Sequence, residues 1–222
     1  MRTRTQEAGF TLIELLVVIA IFSIMLVIAL PAFESMSRRS LATVVPGLSS
    51  TLRLARQYAV THRQPVWVVF PHNTNTSFTG IEGEADKAMR SYAVISSNVA
   101  QGLHYVSSWK LMPKGIYFGM NGSNNVMNFN GAGTMFPYPS DAGSSKNLPA
   151  VMFKPNGQAY RYTPGSGWGQ SMSGSSFVEI PVTEGVADIG ATNGIPTITY
   201  VGKTNITLQV VYKTGQVRYQ GF

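Results

Sequence analysis

The sequence predicts an α+β fold: one long N-terminal helix, membrane-spanning in its first half and amphipathic in its second, packed on an antiparallel β-rich head domain. Three observations predict it. Residues 10–30 read FTLIELLVVIAIFSIMLVIAL, apolar except for Thr11, Glu14 and Ser23. Beyond Pro31, apolar residues recur at three- and four-residue steps. From Pro65 onward, runs of β-branched and aromatic residues alternate with turn residues. The chain accordingly divides into a polar leader at 1–9, an apolar helix at 10–30, an amphipathic helix at 31–63 and a globular head at 64–222.

At 222 residues there is room for one ordinary domain and an appendage. Hydrophobic residues make up 44% and charged residues only 12%, a low charge for a soluble cytosolic protein; much of the apolar excess sits at 10–30. The absence of cysteine excludes disulfides, thiolate metal sites and cysteine nucleophiles together. A net charge of +7 favours nucleic acid or anionic lipid only where the cations cluster. Arg38, Arg39, Arg53, Arg56 and Arg63 fall close behind the apolar run, whereas the remaining Lys and Arg are scattered.

The 21 positions from Phe10 to Leu30 make a helix of roughly 30 Å, the thickness of a bilayer core. Arg2 and Arg4 should hold the leader on the cytoplasmic side and place the rest of the chain outside. A secretory signal fits poorly: the run is too long, and Pro31-Ala32-Phe33-Glu34 follows it rather than a small-residue cleavage site. A plain anchor leaves Glu14 unexplained, because a lone carboxylate in hydrocarbon costs about 3 kcal/mol on insertion scales and requires a cationic partner. Pro31 lacks an N–H and disrupts the helical ladder where the apolar run ends.

Gly9-Phe10-Thr11-Leu12-Ile13-Glu14 resembles the processing site of type IV prepilins, a family that includes the pseudopilins of type II secretion. The resemblance implies that a prepilin peptidase cuts between Gly9 and Phe10 and methylates the new amine of Phe10. It implies that Glu14 serves assembly by pairing with the N-terminal amine of a neighbouring subunit, and that Pro31 is the family's helix-kinking proline. The implied partners are the peptidase, other pilins or pseudopilins in a filament, and inner-membrane lipid before assembly. The head then lies outside the cytoplasm, in a pilus or a periplasmic pseudopilus.

In the amphipathic half, Leu41, Val44, Val45, Leu48, Leu52, Ala55 and Ala59 form one stripe, and Pro46 should bend or interrupt the helix. Strands are expected at 66–70, 92–97, 105–110, 116–118, 151–153, 159–162, 177–182, 197–201, 207–212 and 216–219. Pro155-Asn156-Gly157 and Lys213-Thr214-Gly215 read as hairpin turns, while 121–147 and 163–176 read as loops. The stretch Leu54-Ala55-Arg56-Gln57-Tyr58-Ala59-Val60-Thr61-His62-Arg63-Gln64-Pro65-Val66 is similar to the helix end and first strand of the GspH/FimT family of minor pilins and pseudopilins. Phe153-Lys154-Pro155-Asn156-Gly157-Gln158 and Thr214-Gly215-Gln216-Val217-Arg218 are similar to that family's hairpins.

No catalytic constellation is present, so no enzyme, metal or cofactor is expected. His62, His72 and His104 lack metal-ligand spacing. Glu82, Glu84 and Asp86 form an acidic patch without the ligand run of a calcium loop. There is no Gly-x-Ser-x-Gly elbow, and Gly115–Gly122 lacks the ending of a phosphate loop. Some members of the GspH/FimT family bind DNA through a C-terminal Gly-Arg-x-Arg segment. Here Gln216 replaces the first Arg, leaving Lys213 and Arg218 as candidate DNA contacts. Tyr212 and Tyr219 either stack bases or serve packing. The reading is a minor pilin or pseudopilin; a DNA-binding subunit for natural transformation is the alternative.

Overall fold

The structure, a computed structural model, describes residues 12–72, 88–98, 100–120, 124–127, 135–163, 167–168, 176–189 and 196–220. Two compact units divide between Arg39 and Ser40. One helix, α1 (Leu12–His62), contributes to both. The chain closes it with Arg63 in the left-handed region (φ 54°), and Gln64 N–H donates to Ala59 O at 3.2 Å, a bond that satisfies a last-turn carbonyl. Pro65 then forbids continuation. The expected interruption at Pro46 does not occur. One ladder bond is lost there, but Val44, Val45 and Leu48 on either side are buried, and that packing outweighs the local defect. Among the described residues, no helix is long and apolar enough to cross a membrane. Described side chains cover 12–26 of the predicted 10–30 span.

The strands that follow are β1 (Val66–Val69), β2 (Ser91–Asn98), β3 (Gly102–Tyr105), β4 (Lys110–Leu111), β5 (Ile116–Phe118), β6 (Met135–Tyr138) and β7 (Ser144–Asn147). After them come β8 (Ala150–Phe153), β9 (Ala159–Thr163), β10 (Gly167–Trp168), β11 (Phe177–Ile189), β12 (Pro196–Val211) and β13 (Val217–Gln220). A seven-stranded sheet runs β10-β9-β8-β1-β2-β3, with β4 also on β2; a four-stranded sheet runs β13-β12-β11-β5; β6 and β7 form a separate hairpin. Every strand pairing among these elements is antiparallel. The fold is therefore α+β, as expected.

The second half of α1 lies in the core of unit 40–222. Its stripe from Leu41 to Ala59 joins Val66 and Val68 of β1, Val151 and Phe153 of β8, Ile180 and Val182 of β11 and Leu208 of β12 in one buried cluster. Because side chains alternate along a strand, Trp67 and Val69 of β1 face the other way. There they meet Ile95, Met152, and Phe136 and Tyr138 from the β6–β7 hairpin in a second cluster. The hairpin corrects the reading of 121–147 as one loop. Its Gly, Asn and Ser content hid a strand pair whose inward residues, Phe136 and Tyr138, are only two. Two further corrections concern boundaries. The expected strands at 197–201 and 207–212 are one strand, β12, which ends at Val211 and pairs with β11 across a register shift between Thr183 and Gly185. The expected strand at 105–110 is broken into β3 and β4, because Val106 and Ser107 both turn their N–H groups to Val94 O.

His72, just beyond β1, is buried at 1% exposure, and burial pushes its pKa below the ordinary 6.5; a hydrogen bond to the Met127 backbone opposes the shift. A folded-state pKa below the unfolded one means that the unfolded chain takes up the proton first as pH falls. Stability is therefore complete above about pH 6.5 and declines below it. The unfolding midpoint should drop between pH 7 and pH 5, and His72→Gln should flatten that drop. Denaturation followed by circular dichroism across this range checks it, and equal slopes in both proteins would refute the assignment.

Candidate functional site

Two surfaces carry the residues singled out by the sequence. The first is the start of α1. Gly9 and Phe10, the expected processing and methylation residues, and the side chain of Pro31 lie outside the described residues; the backbone at Pro31 is helical. Glu14 sits in the first turn of α1 and is exposed. Around it, every large apolar side chain from Leu12 to Leu26 is exposed, from 45% at Val18 to 82% at Leu12. Ser23 is satisfied within the helix, its hydroxyl donating to Ile19 O at 2.7 Å. An apolar surface this continuous is the signature of association with other chains or with lipid. A carboxylate near a helix N-terminus also favours the positive end of the helix dipole.

The second surface is the C-terminal hairpin. Of the two candidate DNA contacts, Lys213 and Arg218, the arginine has company from α1. Lys213 is exposed in the β12–β13 turn, whereas Arg218 lines a cavity of about 290 Å³ together with Arg53 and Arg56 of α1 and residues 215–217. The two helix arginines were visible in the sequence only as members of a loose basic group. Their three-residue spacing beside the apolar stripe, which puts both on one helix face next to whatever the stripe covers, was the available signal. Of the two readings of Tyr212, packing holds: it is buried at 6% and joins the core, so it offers no face to a base. Burial raises its pKa, and the charge of Arg161 opposes the rise. Tyr219 remains exposed at 44%.

Arg56 explains why this cavity has a fixed shape. Its Nε donates to Gly157 O at 3.2 Å, so the helix grips the β8–β9 turn. The β12–β13 turn lies against the same side chain: a Cβ on Gly215 would meet Arg56 Cδ at 2.8 Å and would overlap the Gly157 carbonyl. Gly157 and Gly215 have φ of 80° and 63°, a region costly to side-chain-bearing residues. Ala159 N–H, donating to Tyr212 O at 2.9 Å, ties the hairpins together beside them. A larger cavity of about 390 Å³ lies where Leu54, Tyr58 and His62 of α1 face Val94, Val106 and Lys110. Its wall is mostly apolar, with His62 stacked on Tyr58 at 3.8 Å between ring centres. Among the described residues, no group of three or more His, Asp or Glu is placed to hold a metal.

The comparisons bear on the N-terminus. Residues 4–30 match the family model for the prokaryotic N-terminal methylation motif. That motif supports a type IV pilin-like protein, assembled after prepilin processing, and implies a prepilin peptidase and other pilins as partners. It spans Gly9, Phe10 and Glu14 but leaves the head domain unassigned. No curated protein and no solved structure matches the chain.

The Arg56 arrangement yields a graded test. Gly102 also has a positive φ, 67°, but nothing lies within 4 Å of a Cβ placed there. Gly102→Ala should cost only backbone strain, about 1 kcal/mol, whereas Gly215→Ala should cost about 3 kcal/mol because Arg56 and the Gly157 carbonyl must also move. Urea denaturation of both variants measures the gap, and equal losses would refute the close packing around Arg56.

Proposed function

We propose that this chain is a minor pilin or pseudopilin of the GspH/FimT kind, a structural subunit without catalytic activity. It enters a type IV pilus or a type II secretion filament through α1. The supporting observation is the conjunction of the methylation motif at 4–30 with a helix whose large apolar side chains are uncovered from Leu12 to Leu26. In this reading the precursor is held in the inner membrane by 10–30 with its head outside the cytoplasm. Prepilin peptidase cleaves after Gly9, and Phe10 becomes the methylated N-terminus. In lipid the apolar effect gives little drive for helices to associate, so packing and polar pairing decide the register. Glu14 then pairs with a neighbour's N-terminal amine, which offsets the cost of a carboxylate in that environment.

A second reading is favoured by one observation, the convergence of Arg53, Arg56 and Arg218 on a single cavity. Three guanidiniums at one place restore the cationic density that Gln216 removes from the family's DNA-binding segment, and they suit phosphate. The head would then bind DNA as a pilus-associated subunit for natural transformation.

Glu14→Ala should leave cleavage and methylation intact, seen as N-methyl-Phe10 by mass spectrometry, while lowering incorporation into filaments about tenfold or more. Wild-type incorporation of that variant would refute the pairing. A photo-crosslinker at Leu16 should capture other pilins or pseudopilins, and the identity of the captured chains tells pilus from secretion filament. For the second reading, a gel shift with duplex DNA should weaken with salt, and Arg53→Ala or Arg218→Ala should each reduce the salt slope by about 1. A salt-independent shift, or none, would remove DNA as the ligand.

A further inference from the structure

Beside the second buried cluster, the loop between β3 and β4 and the turn of the β6–β7 hairpin border an open cavity of about 370 Å³, which shares Val106 and Ser107 with the wall of the cavity beside α1. That volume is within the usual range for small-ligand sites. Its wall includes Tyr105, Trp109, Ser107, Ser108, Ser140 and Asp141. Hydrogen bonds between the two segments hold the cavity in one shape. Trp109 Nε1–H donates to Pro139 O at 2.7 Å, Tyr105 O–H donates to Pro137 O at 2.6 Å, and Tyr105 N–H donates to Asp141 Oδ1 at 2.7 Å. The Trp109 ring is wedged further, edge-on to Tyr138 at 5.3 Å and tilted against Tyr105 at 5.8 Å. Both rings are half-buried, while Ser108, Ser140 and Asp141 are exposed.

The polar ends of both aromatic side chains are thus bonded to protein carbonyls, and what the rings have left to offer a ligand is their faces. An aromatic face is electronegative and attracts polarised C–H groups. Beside the rings stand hydroxyls, which donate and accept, and one carboxylate, which only accepts when ionised. Among the described residues, Asp141 is the one charged side chain lining the cavity, so an anion is disfavoured there. Apolar faces bordered by two-way hydrogen-bonding groups and a single acceptor are the complement of a flat ring with C–H faces and a hydroxyl rim. We infer that this cavity binds a neutral pyranoside with equatorial hydroxyls, of the β-glucoside type, giving the head a carbohydrate-binding site separate from both α1 and the arginine cavity. In such a sugar the axial C–H bonds lie on the Trp109 face, and the perimeter hydroxyls meet Ser108, Ser140 and Asp141. A quaternary ammonium group, which carries no N–H, would use the rings and the carboxylate but would leave the serine hydroxyls without a role.

The test is calorimetric titration of the full-length protein with cellotetraose, in a detergent whose head group is neither a sugar nor a choline. Saturable binding is expected, weakened about tenfold by Trp109→Ala and about threefold by the double substitution Ser108→Ala with Ser140→Ala. The exposed serines should leave the unfolding midpoint unchanged, so the double variant decides the matter if Trp109→Ala fails to fold. A glucuronate oligomer should bind more weakly than cellotetraose. Absence of saturable heat, full binding by the serine variant, or tighter binding of choline than of cellotetraose would each overturn the proposal.

Discussion

Both sheets of the head close on the same strip of helix, the stripe of α1 from Leu41 to Ala59. Leu48, Leu52 and Ala59 are fully buried there, between strands that come from opposite ends of the sequence. Burying a leucine or valine side chain contributes about 1.5–3 kcal/mol, against about 1 kcal/mol net for a single hydrogen bond in the sheets. The stripe is also what fixes the arginine cavity. With the apolar positions turned inward, Arg56 can reach only outward along the hairpin turns, and Arg53 follows it one turn earlier. Core and surface are therefore set by a single rotation of one helix about its axis.

The same helix serves two solvents. Up to Leu26 its described side chains are uncovered and, Glu14 and Ser23 apart, apolar; from Leu41 a stripe of apolar side chains is covered by strands, while Leu54 and Val60 stay exposed outside it. The first arrangement suits a milieu of lipid or of other helices, and the second suits a domain that completes its own core. Unit 40–222 holds the helix stripe and both sheets within itself, so the head needs no partner to bury its interior.

Much of this was legible in the sequence where periodicity is strong. The stripe at three- and four-residue steps gave every buried position of α1 that the core uses, and the strands at 66–69, 116–118 and 150–153 fell where β-branched and aromatic runs are densest. The motif around Gly9, Phe10 and Glu14 was legible because it is contiguous. What escaped was whatever depends on distant pairing. The β6–β7 hairpin has polar, glycine-rich surroundings and buries only Phe136 and Tyr138, too few for a period-2 signal. Arg218 meets Arg53 and Arg56 across more than 160 residues of chain, and no local pattern encodes that meeting. Tyr212 was open between stacking on bases and packing, and its burial where its carbonyl meets Ala159 decides for packing.

Strand β1 has no face toward solvent and no free edge: Val66–Val69 pairs with β2 on one side and β8 on the other, and all four side chains are buried. In the order of synthesis its first neighbour appears soon, but Ala150–Phe153 follows about 80 residues later. At 5–20 residues per second that is roughly 4–16 s during which an apolar strand waits with one edge unpaired. The outward residues Trp67 and Val69 wait as long, since Phe136 and Tyr138 also come late. Pairings so far apart in sequence form slowly, and open apolar edges are where chains join one another wrongly. The nascent head is thus most exposed to misassembly before β8 arrives, and the burden of protecting it falls on whatever attends the chain during synthesis.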